Sequence, residues 1–406
     1  MTALKNVAVP YGAYWSTPFS RWQQSFAHLH SIKFAAHVAK QALAERKIDP
    51  SVFDHAVLGL SVPQKQAFFG LPWFMSMLGN PTVSGASIAQ ACATSARSLA
   101  SAAHDIEVGD ATVSMVATCD RTSNTPILIY PDPKAMAGAP DMENWILHGF
   151  NNDPVANNPP TTTAENCARD WQISTEEQND VTARRYEQYR DACANDHAFM
   201  KRYMTLPFQV PDAKFAKTVA TLSGDEGIHD TTRDGLSKLK PVQPGGTVTY
   251  GTQTHPADGN AALILTSAAR AAELSKDPNV KIEMLSFGQA RSKPGYMPFA
   301  PVPAAKQALE SAGVSLQQID AIKTHNPFVV NDIVFQRETG YDVMKMNNFG
   351  SSLVYGHPQG PTGMRLIIEL IEELVQKGGG YGLFTGCAAG DTGMAVVLKV
   401  TNAKKH

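Results

Sequence analysis

The 406-residue sequence has no long apolar run and no excess of basic charge. No hydrophobic stretch approaches the ~20 residues that a membrane-spanning helix requires, so we expect no membrane partner. The 35 Lys and Arg residues are balanced by 37 Asp and Glu residues, which leaves a net charge of -2. This balance gives no reason to expect nucleic acid or an anionic lipid surface as a partner.

The termini and the cysteines lack the signs of export. The first residues, MTALKNVAVPYGAYW, contain neither a signal-peptide core nor an Arg-rich transit segment, and the final TNAKKH is no peroxisomal address. Cysteine occurs five times, an odd number, and never at C-x-x-C spacing. We therefore expect free thiols in a reducing, cytoplasmic compartment and no metal site.

Composition and periodicity indicate a globular α/β protein. The chain is 43% hydrophobic and 18% charged, and it is long enough for two or three packed units. Two stretches with helical spacing, LHSIKFAAHVAKQALAERKI and ATSARSLASAAHDIEV, alternate with the short apolar strands FDHAVLGLSV and ATVSMVATCD. This alternation predicts a parallel sheet with helices on its faces.

The pattern is interrupted near residue 121 and resumes near residue 248. The intervening segment is rich in Pro, Asn and Thr, which is typical of loops, and it contains one long helical stretch beginning STEEQ. We interpret residues 1–120, completed by 248–272, as an N-terminal core domain. Residues 121–247 are then an inserted loop domain, and residues 273–406 form a C-terminal core domain.

One helix-turn-strand plan occurs twice. RSLASAAHDIEVGDATVSMVATCD is matched by RLIIELIEELVQKGGGYGLFTGCA, and each ends at a cysteine. Two similar halves would place a site between them. Residue identity between the segments is low, so general reuse of this plan among α/β proteins is the alternative.

Cys92 and His357 are the first two candidate site residues. Cys92 precedes a helix, whose N-terminus carries about half a positive charge and should lower the pKa of the thiol. His357 lies in GHPQGPTG, where glycines and a proline would hold it rigidly enough to act as a base. The alternatives are a buried core cysteine and a loop histidine that caps a helix.

Cys387 and His325 are the other two candidates. Cys387 follows a strand in TGCAAGDTG, and His325 follows another strand in THNPF. Either residue could instead be structural, as a buried strand-end thiol or a turn residue. Taken together, however, a reactive thiol, a base and a second thiol are the parts of an acyl-transfer site that works on thioesters.

These segments resemble the thiolase family over nearly the whole chain. TAENCARDWQISTEEQNDVTA and PVPAAKQALESAGVSLQQID are similar to family segments, and GHPQGPTG matches G-H-P-x-G-x-[ST]-G. The resemblance implies a thiolase-like five-layer αβαβα fold made of two pseudo-symmetric sheet domains plus a loop domain that binds coenzyme A. It also implies a homodimer or a dimer of dimers.

The resemblance also implies a role for each candidate. Cys92 would be the acylated nucleophile, His357 its activating base, and Cys387 the acid or base at the α-carbon. Backbone N–H groups of Cys92 and Ala389 would form one oxyanion hole, and His325 would contribute to another. Coenzyme A would be a substrate or product, and the resemblance implies no metal.

Two departures from the family pattern bear on the substrate. HNPF replaces the usual N-E-A-F, H-E-A-F or H-D-C-F, and Cys387 is followed by two alanines where C-x-G is usual. HNPF and the aromatic segment QKQAFFGLPWFMSM suggest a bulky or aromatic acyl group, as in the benzoylsuccinyl-CoA thiolases, which work with a small accessory subunit.

The predicted function is reversible Claisen condensation, or CoA-dependent thiolytic cleavage, of a 3-oxoacyl-CoA. A ketoacyl-synthase-like condensing enzyme, which uses Cys-His-His, is one alternative, and the second thiol at Cys387 argues against it. The other alternative is a non-catalytic lipid-carrier or scaffold subunit. Retention of all four reactive side chains argues against that interpretation.

Overall fold

The computed structural model describes residues 3–402. The strands are β1 (Val7–Ala8), β2 (Tyr14–Ser16), β3 (Ser20–Arg21), β4 (His55–Gly59), β5 (Gly85–Ile88), β6 (Val113–Arg121), β7 (Ile127–Tyr130), β8 (Asp141–Asn144), β9 (Phe208–Pro211), β10 (Thr218–Leu222), β11 (Ala257–Ser267), β12 (Val280–Arg291), β13 (Ile319–His325), β14 (Gly379–Ala388) and β15 (Thr392–Asn402). The helices are α1 (Ser31–Arg46), α2 (Gly70–Leu78), α3 (Thr94–Val108), α4 (Trp145–Asn151), α5 (Pro160–Asp170), α6 (Thr175–His197), α7 (Arg233–Ser237), α8 (Ala271–Leu274), α9 (Pro301–Ala312), α10 (Val330–Thr339), α11 (Ser352–Tyr355) and α12 (Gly360–Lys377).

The main sheet contains two halves with matching strand order. Its path is β13-β14-β15-β12-β1-β11-β6-β4-β5, with β2 and β3 also paired to β11. In the C-terminal half, β13 and β14 are parallel and β14 and β15 are antiparallel. In the N-terminal half, β4 and β6 are parallel and β6 and β11 are antiparallel. The pseudo-symmetric pair of sheet domains predicted from the repeated segments is confirmed.

The helices complete a five-layer arrangement. Helices α3 and α12 pack against each other and contact strands of both halves, so they form the central layer. Helices α1 and α2 cover the outer face of the N-terminal half, and α9 covers the outer face of the C-terminal half. The predicted five-layer αβαβα order is confirmed, and the central helices begin where the two halves meet.

Helix α12 is buried on all sides although it carries charged residues. Residues 360–375 are all buried, including Arg365 and Glu369. Arg365 donates from Nη2 to Asp225 Oδ2 at 2.8 Å and from Nε to Glu369 Oε1 at 2.9 Å, and Lys323 Nζ lies 3.1 Å from Glu369 Oε2. Each buried charge therefore has a partner, as burial requires. Within residues 3–402, no helix is long and apolar enough to cross a bilayer.

The segment between β6 and β11 departs from the central sheet. Strands β7 and β8 pair with each other, as do β9 and β10, and helices α4 to α7 lie among them. Helix α6 begins after Ser174, whose hydroxyl accepts a hydrogen bond from the Glu177 amide at 3.2 Å. Helix α3 ends at Gly109, where φ is 88°.

Candidate active site

The candidate residues come together at the junction of the two halves. Cys92 lies in a single 3₁₀ turn, Ala91–Ala93, just before α3, and His357 lies in the loop just before α12. His325 ends β13 and Cys387 lies near the end of the adjacent strand β14. The Cys92 sulfur and one ring nitrogen of each histidine are all within 4.8 Å of one another.

Hydroxyl groups fix the orientation of both histidines. His357 Nδ1 lies 2.6 Å from Thr362 Oγ1, and His325 Nδ1 lies 2.9 Å from Ser352 Oγ. The two imidazole rings are 4.1 Å apart between centroids and tilted by 30°. Both Nε2 atoms are buried and have no hydrogen-bond partner. One unsatisfied nitrogen on each ring is therefore free to bind a reacting group.

Burial keeps both histidines neutral. Desolvation lowers the pKa of His357 to about 3. Desolvation also lowers the pKa of His325 well below its ordinary value, and the nearby His357 lowers it further. A neutral imidazole has one N–H donor and one bare nitrogen, so the hydrogen bond at Nδ1 decides what Nε2 can do.

The contacts of Ser352 favour one tautomer of His325. The Ser352 hydroxyl donates to Asn326 Oδ1 at 3.2 Å and accepts from the Asn326 amide at 3.3 Å. Its remaining lone pair suits a donor, so His325 Nδ1 carries the proton and Nε2 is an acceptor. Because the amide of Leu353 also donates to Asn326 Oδ1, at 3.1 Å, the hydroxyl can rotate towards Nδ1 and leave that oxygen satisfied. With the hydroxyl in that orientation Nδ1 becomes an acceptor, so the site also accommodates the tautomer that carries its ring proton on Nε2, and in that tautomer Nε2 is a donor.

Cys92 is a protonated thiol in this environment. Its Sγ donates to Gln359 Oε1 at 3.3 Å, and the backbone N–H groups of Ala389 and of Cys92 itself also interact with the sulfur. Burial raises the pKa of the thiol to about 12 despite these amides. The expectation that the helix start lowers this pKa is wrong here, because the cost of desolvating a thiolate exceeds the stabilisation from nearby dipoles.

The sequence did not single out Gln359, although it lies within GHPQGPTG. It is buried, and its backbone adopts φ 64° and ψ -106°, an unusual conformation for a residue with a side chain. Besides accepting from Cys92, its side chain lies close enough to His357 to favour the protonated imidazole, although it makes no hydrogen bond with the unpartnered Nε2. The strained backbone thus places one amide oxygen beside both the thiol and its candidate base.

Cys387 is held by a residue that the sequence also did not indicate. Its sulfur is fully buried and accepts from Asn331 Nδ2, on α10, at 3.2 Å. Burial raises the pKa of Cys387 well above its usual value, and the nearby Cys92 raises it further. The two thiols are therefore electrostatically coupled, and both are neutral before a reaction begins.

Asp120, at the end of β6, connects the site to α12. Its carboxylate accepts from the Ser61 amide and hydroxyl at 2.9 and 2.7 Å, and from the amides of Val62 and Gly360, each at 2.8 Å. Burial raises its pKa to about 7, against four hydrogen bonds that favour the ionised form. The carboxylate thereby holds the first residue of α12, three positions after His357, against strands of the N-terminal half.

A cavity of about 550 Å³ opens at Cys92, His357 and Ala389. Its other lining residues are Ser61, Val62, Ala89, Ala91, Glu143, Trp145, Ile146, Gly149, Phe150, Pro160, Thr161, Gln253, Thr254, Pro256, Met297, Pro327, Phe328 and Gln359. None of the described residues that line it comes from 64–77, so the aromatic segment QKQAFFGLPWFMSM does not shape this cavity. Its aromatic surface comes instead from Trp145, Phe150 and Phe328.

The pH dependence of alkylation tests the protonation state of Cys92. We expect its reaction with iodoacetamide to be slow near neutrality and to rise about tenfold per pH unit, without a plateau, up to roughly pH 10. Peptide mass spectrometry measures this rate at Cys92. The denatured chain is the control, because its exposed thiol should level off above its ordinary pKa of about 8.5. A plateau below roughly pH 8 in the folded protein would show a stabilised thiolate instead.

Comparison with known proteins agrees with this architecture. The family profiles described as Thiolase, N-terminal domain and Thiolase, C-terminal domain match residues 13–269 and 278–400. Beta-ketothiolase BktB of Cupriavidus necator is 29% identical over 90% of this chain and 92% of its own length. Acetyl-CoA acetyltransferase of Pseudomonas aeruginosa is 29% identical over 94% of this chain and 96% of its own length. A crystal structure of human mitochondrial 3-ketoacyl-CoA thiolase in complex with CoA, 26% identical, matches with a TM-score of 0.88 over 98% of this chain and 99% of that chain. This chain belongs to the thiolase family of acyltransferases.

Proposed function

We propose that this protein is a thiolase that cleaves or forms a 3-oxoacyl-CoA through an acyl group carried on Cys92. The observation that supports this most directly is that buried Cys92 and His357 line one cavity, with His325 in the same cluster and the buried thiol of Cys387 close enough to Cys92 for its pKa to be raised by it. In the cleavage direction, His357 accepts the Cys92 proton and the sulfur attacks the 3-oxo carbon. The bond between C2 and C3 then breaks, and the departing enolate receives a proton from Cys387. The thiol of coenzyme A finally takes the acyl group from Cys92.

The backbone around Cys92 supports the covalent step. The N–H groups of Cys92 and Ala389 already interact with the sulfur, so they lie close to where a carbonyl oxygen would develop negative charge. Ala389 keeps its N–H although the family usually has glycine at this position. We propose that these two amides form the oxyanion hole for the acyl-Cys92 step.

We propose that His325 acts at the enolate. Its Nε2 atom is buried and unpartnered beside His357, where it could donate to the oxygen of the shorter acyl-CoA. Donation requires the tautomer with the proton on Nε2, which rotation of the Ser352 hydroxyl permits. His325 would then stabilise the α-carbon step without taking part in acylation of Cys92.

The substrate and assembly proposals depend on the inserted segment and on the resemblance to thiolases. Residues 121–247 supply one side of the cavity, including Glu143 and Thr161. We propose that these residues form a loop domain that binds coenzyme A. The two core domains would then be residues 1–120, completed by 248–272, and residues 273–406. We propose a homodimer or a dimer of dimers, with or without a small accessory subunit, on the strength of the resemblance to thiolases. Five free cysteines fit a reducing cytoplasm.

A ketoacyl-synthase-like condensing enzyme is the second candidate function, because Cys92, His325 and His357 form a Cys-His-His cluster. Such an enzyme would decarboxylate a malonyl thioester to make its carbanion, whereas a thiolase removes a proton. Release of CO₂ from malonyl-CoA, retained in Cys387→Ala, would favour this second function. A scaffold subunit would neither release CO₂ nor gain an acyl group on Cys92.

Two thiol variants test the proposed division of roles. Cys92→Ser should lose both covalent acylation and thiolysis, because a serine hydroxyl is a far weaker nucleophile at this position. Cys387→Ala should still become acylated on Cys92 but should not turn over, because only proton transfer at the α-carbon is lost. Intact-protein mass spectrometry measures acylation, and absorbance of the 3-oxoacyl-CoA measures thiolysis. Loss of acylation in Cys387→Ala would contradict the assignment.

His325→Ala should separate the two half-reactions. Loss of one donor to an oxyanion typically slows a step by about a hundredfold, so carbon–carbon cleavage should slow by that order. Single-turnover acylation of Cys92 by a simple acyl-CoA should stay near the parent rate and serves as the internal control. Rapid-quench kinetics measure both steps. Equal slowing of both steps, or of neither, would make His325 a structural turn residue.

We propose that the acyl group is bulky or aromatic, and Trp145 tests this. Its indole lines the cavity and its Nε1–H donates to the Ser61 carbonyl at 3.0 Å. An aromatic contact contributes about 1 kcal/mol, so Trp145→Ala should lower kcat/KM for an aryl 3-oxoacyl-CoA by roughly fivefold to tenfold. The value for acetoacetyl-CoA should change little. Trp145→Phe, which keeps a ring and loses the N–H, is the matched control. Equal losses on both substrates would contradict an aromatic acyl site.

A further inference from the structure

The catalytic cluster also has the composition of a metal-binding site. One thiol sulfur and two imidazole nitrogens lie within 4.8 Å of one another, contributed by Cys92, His325 and His357. The Nδ1 atoms of the histidines are engaged by Ser352 and Thr362, so the unpartnered Nε2 atoms are the ones available to a ligand. A metal-binding histidine commonly has its second ring nitrogen fixed in this way.

The dimensions suit a small, borderline-soft cation. Tetrahedral Zn²⁺ binds sulfur at about 2.3 Å and imidazole nitrogen at about 2.0 Å, which places its ligand atoms roughly 3.3–3.6 Å apart. The three ligand atoms lie within 4.8 Å of one another, so no pair would have to approach by more than about 1.5 Å to reach that spacing. Thiolate and imidazole ligands favour Zn²⁺ or Co²⁺ over Mg²⁺ or Ca²⁺.

Each histidine can offer a lone pair to a cation, because its Nδ1 is engaged by a hydroxyl group and its Nε2 has no hydrogen-bond partner. Binding would displace the Cys92 proton to solvent, and the resulting thiolate would neutralise one charge of the ion. The cavity leaves a fourth coordination position open to water.

We propose that Cys92, His325 and His357 form a reversible inhibitory site for one Zn²⁺ ion per chain. The reaction is a substitution without electron transfer, in which the Cys92 sulfur exchanges its proton for a bond to the metal. Metal and substrate exclude each other because both require the same sulfur. This inference does not depend on the proposed acyl group or reaction direction, since it concerns the resting side chains.

Cobalt provides a direct test that needs no turnover. Metal-free protein is titrated with Co²⁺, and absorbance reports thiolate-to-cobalt charge transfer together with the visible bands of a tetrahedral ion. We expect one ion per chain by equilibrium dialysis, with displacement by Zn²⁺. Zn²⁺ should also protect Cys92 from iodoacetamide, and Mg²⁺ should not.

Variants identify the ligands. Cys92→Ser should lose the charge-transfer band, and His325→Ala should weaken Co²⁺ binding by more than about tenfold. His325→Gln is a second variant of similar size, and thermal melting of all variants identifies any that fail to fold. Cys387→Ala is the matched control, because this thiol lies near Cys92 but outside the three-ligand cluster. This variant should keep both the charge-transfer band and the parent affinity for Co²⁺.

Several outcomes would overturn the proposal. These are a Co²⁺ dissociation constant above about 100 µM, an unchanged Co²⁺ affinity in both folded His325 variants, or loss of the charge-transfer band in Cys387→Ala. Failure of the proposed thiolase function would leave these binding measurements unaffected. Conversely, an active thiolase that binds no cobalt would overturn the metal site alone.

Discussion

The burial of α12 between the two sheet halves is the constraint on which the site depends. Its Arg365 and Glu369 are in the interior, so they require charged partners from elsewhere in the chain. Asp225 of the inserted segment and Lys323 of β13 supply them. Removing one member of such a pair costs about 3–5 kcal/mol. The ion pairs that neutralise the buried charges of α12 therefore also hold the inserted segment and the C-terminal half against this helix. They thereby keep the GHPQG loop at the start of α12 in position.

This burial also determines the starting chemistry. In water a thiol and an imidazole have pKa values only about two units apart, at about 8.5 and 6.5. In the dry cluster burial raises the first to about 12 and lowers the second to about 3, so a proton transfer from Cys92 to His357 is strongly unfavourable before substrate is present. In the mechanism we propose, the protonated His357 forms only as the attacking sulfur passes its charge to a carbonyl oxygen near the Ala389 amide. Neutral resting groups would thus make the nucleophile selective for a bound acyl substrate.

The sequence predicted the alternating strands and helices and indicated four candidate side chains because those signals are local, whereas the five-layer order came from the resemblance to thiolases. Helical periodicity, strand ends and the Gly-Pro framing of His357 are readable within a few residues. Gln359 and Asn331 were missed because their importance comes from partners 267 and 56 residues away. The predicted direction of the Cys92 pKa shift was wrong for a related reason. A helix start, which lowers a thiol pKa, is visible in the sequence, whereas the larger effect of desolvation, which raises this pKa, depends on the assembled fold. The aromatic segment at 64–77 suggested an aromatic acyl pocket, but Trp145 and Phe150 supply aromatic surface to the cavity and this segment does not.

The two halves repeat one plan, yet only one half supplies reactive groups from its strand ends. His325 ends β13, whereas the corresponding strand β4 ends at Gly59, where a Cβ atom would lie within 3 Å of Thr118 and Thr94. A side chain at that position would have to displace the side chains of Thr94 and Ser98 on α3 and of Thr118 on β6. Strand β14 carries Cys387 into the site, whereas the end of β6 uses Asp120 to hold the start of α12. In the function we propose, the N-terminal half therefore contributes the nucleophile and the support for the base, and the C-terminal half contributes the base and the groups that act at the α-carbon. Neither half holds a complete site, so the chemistry we propose requires both halves to pack around the central helices.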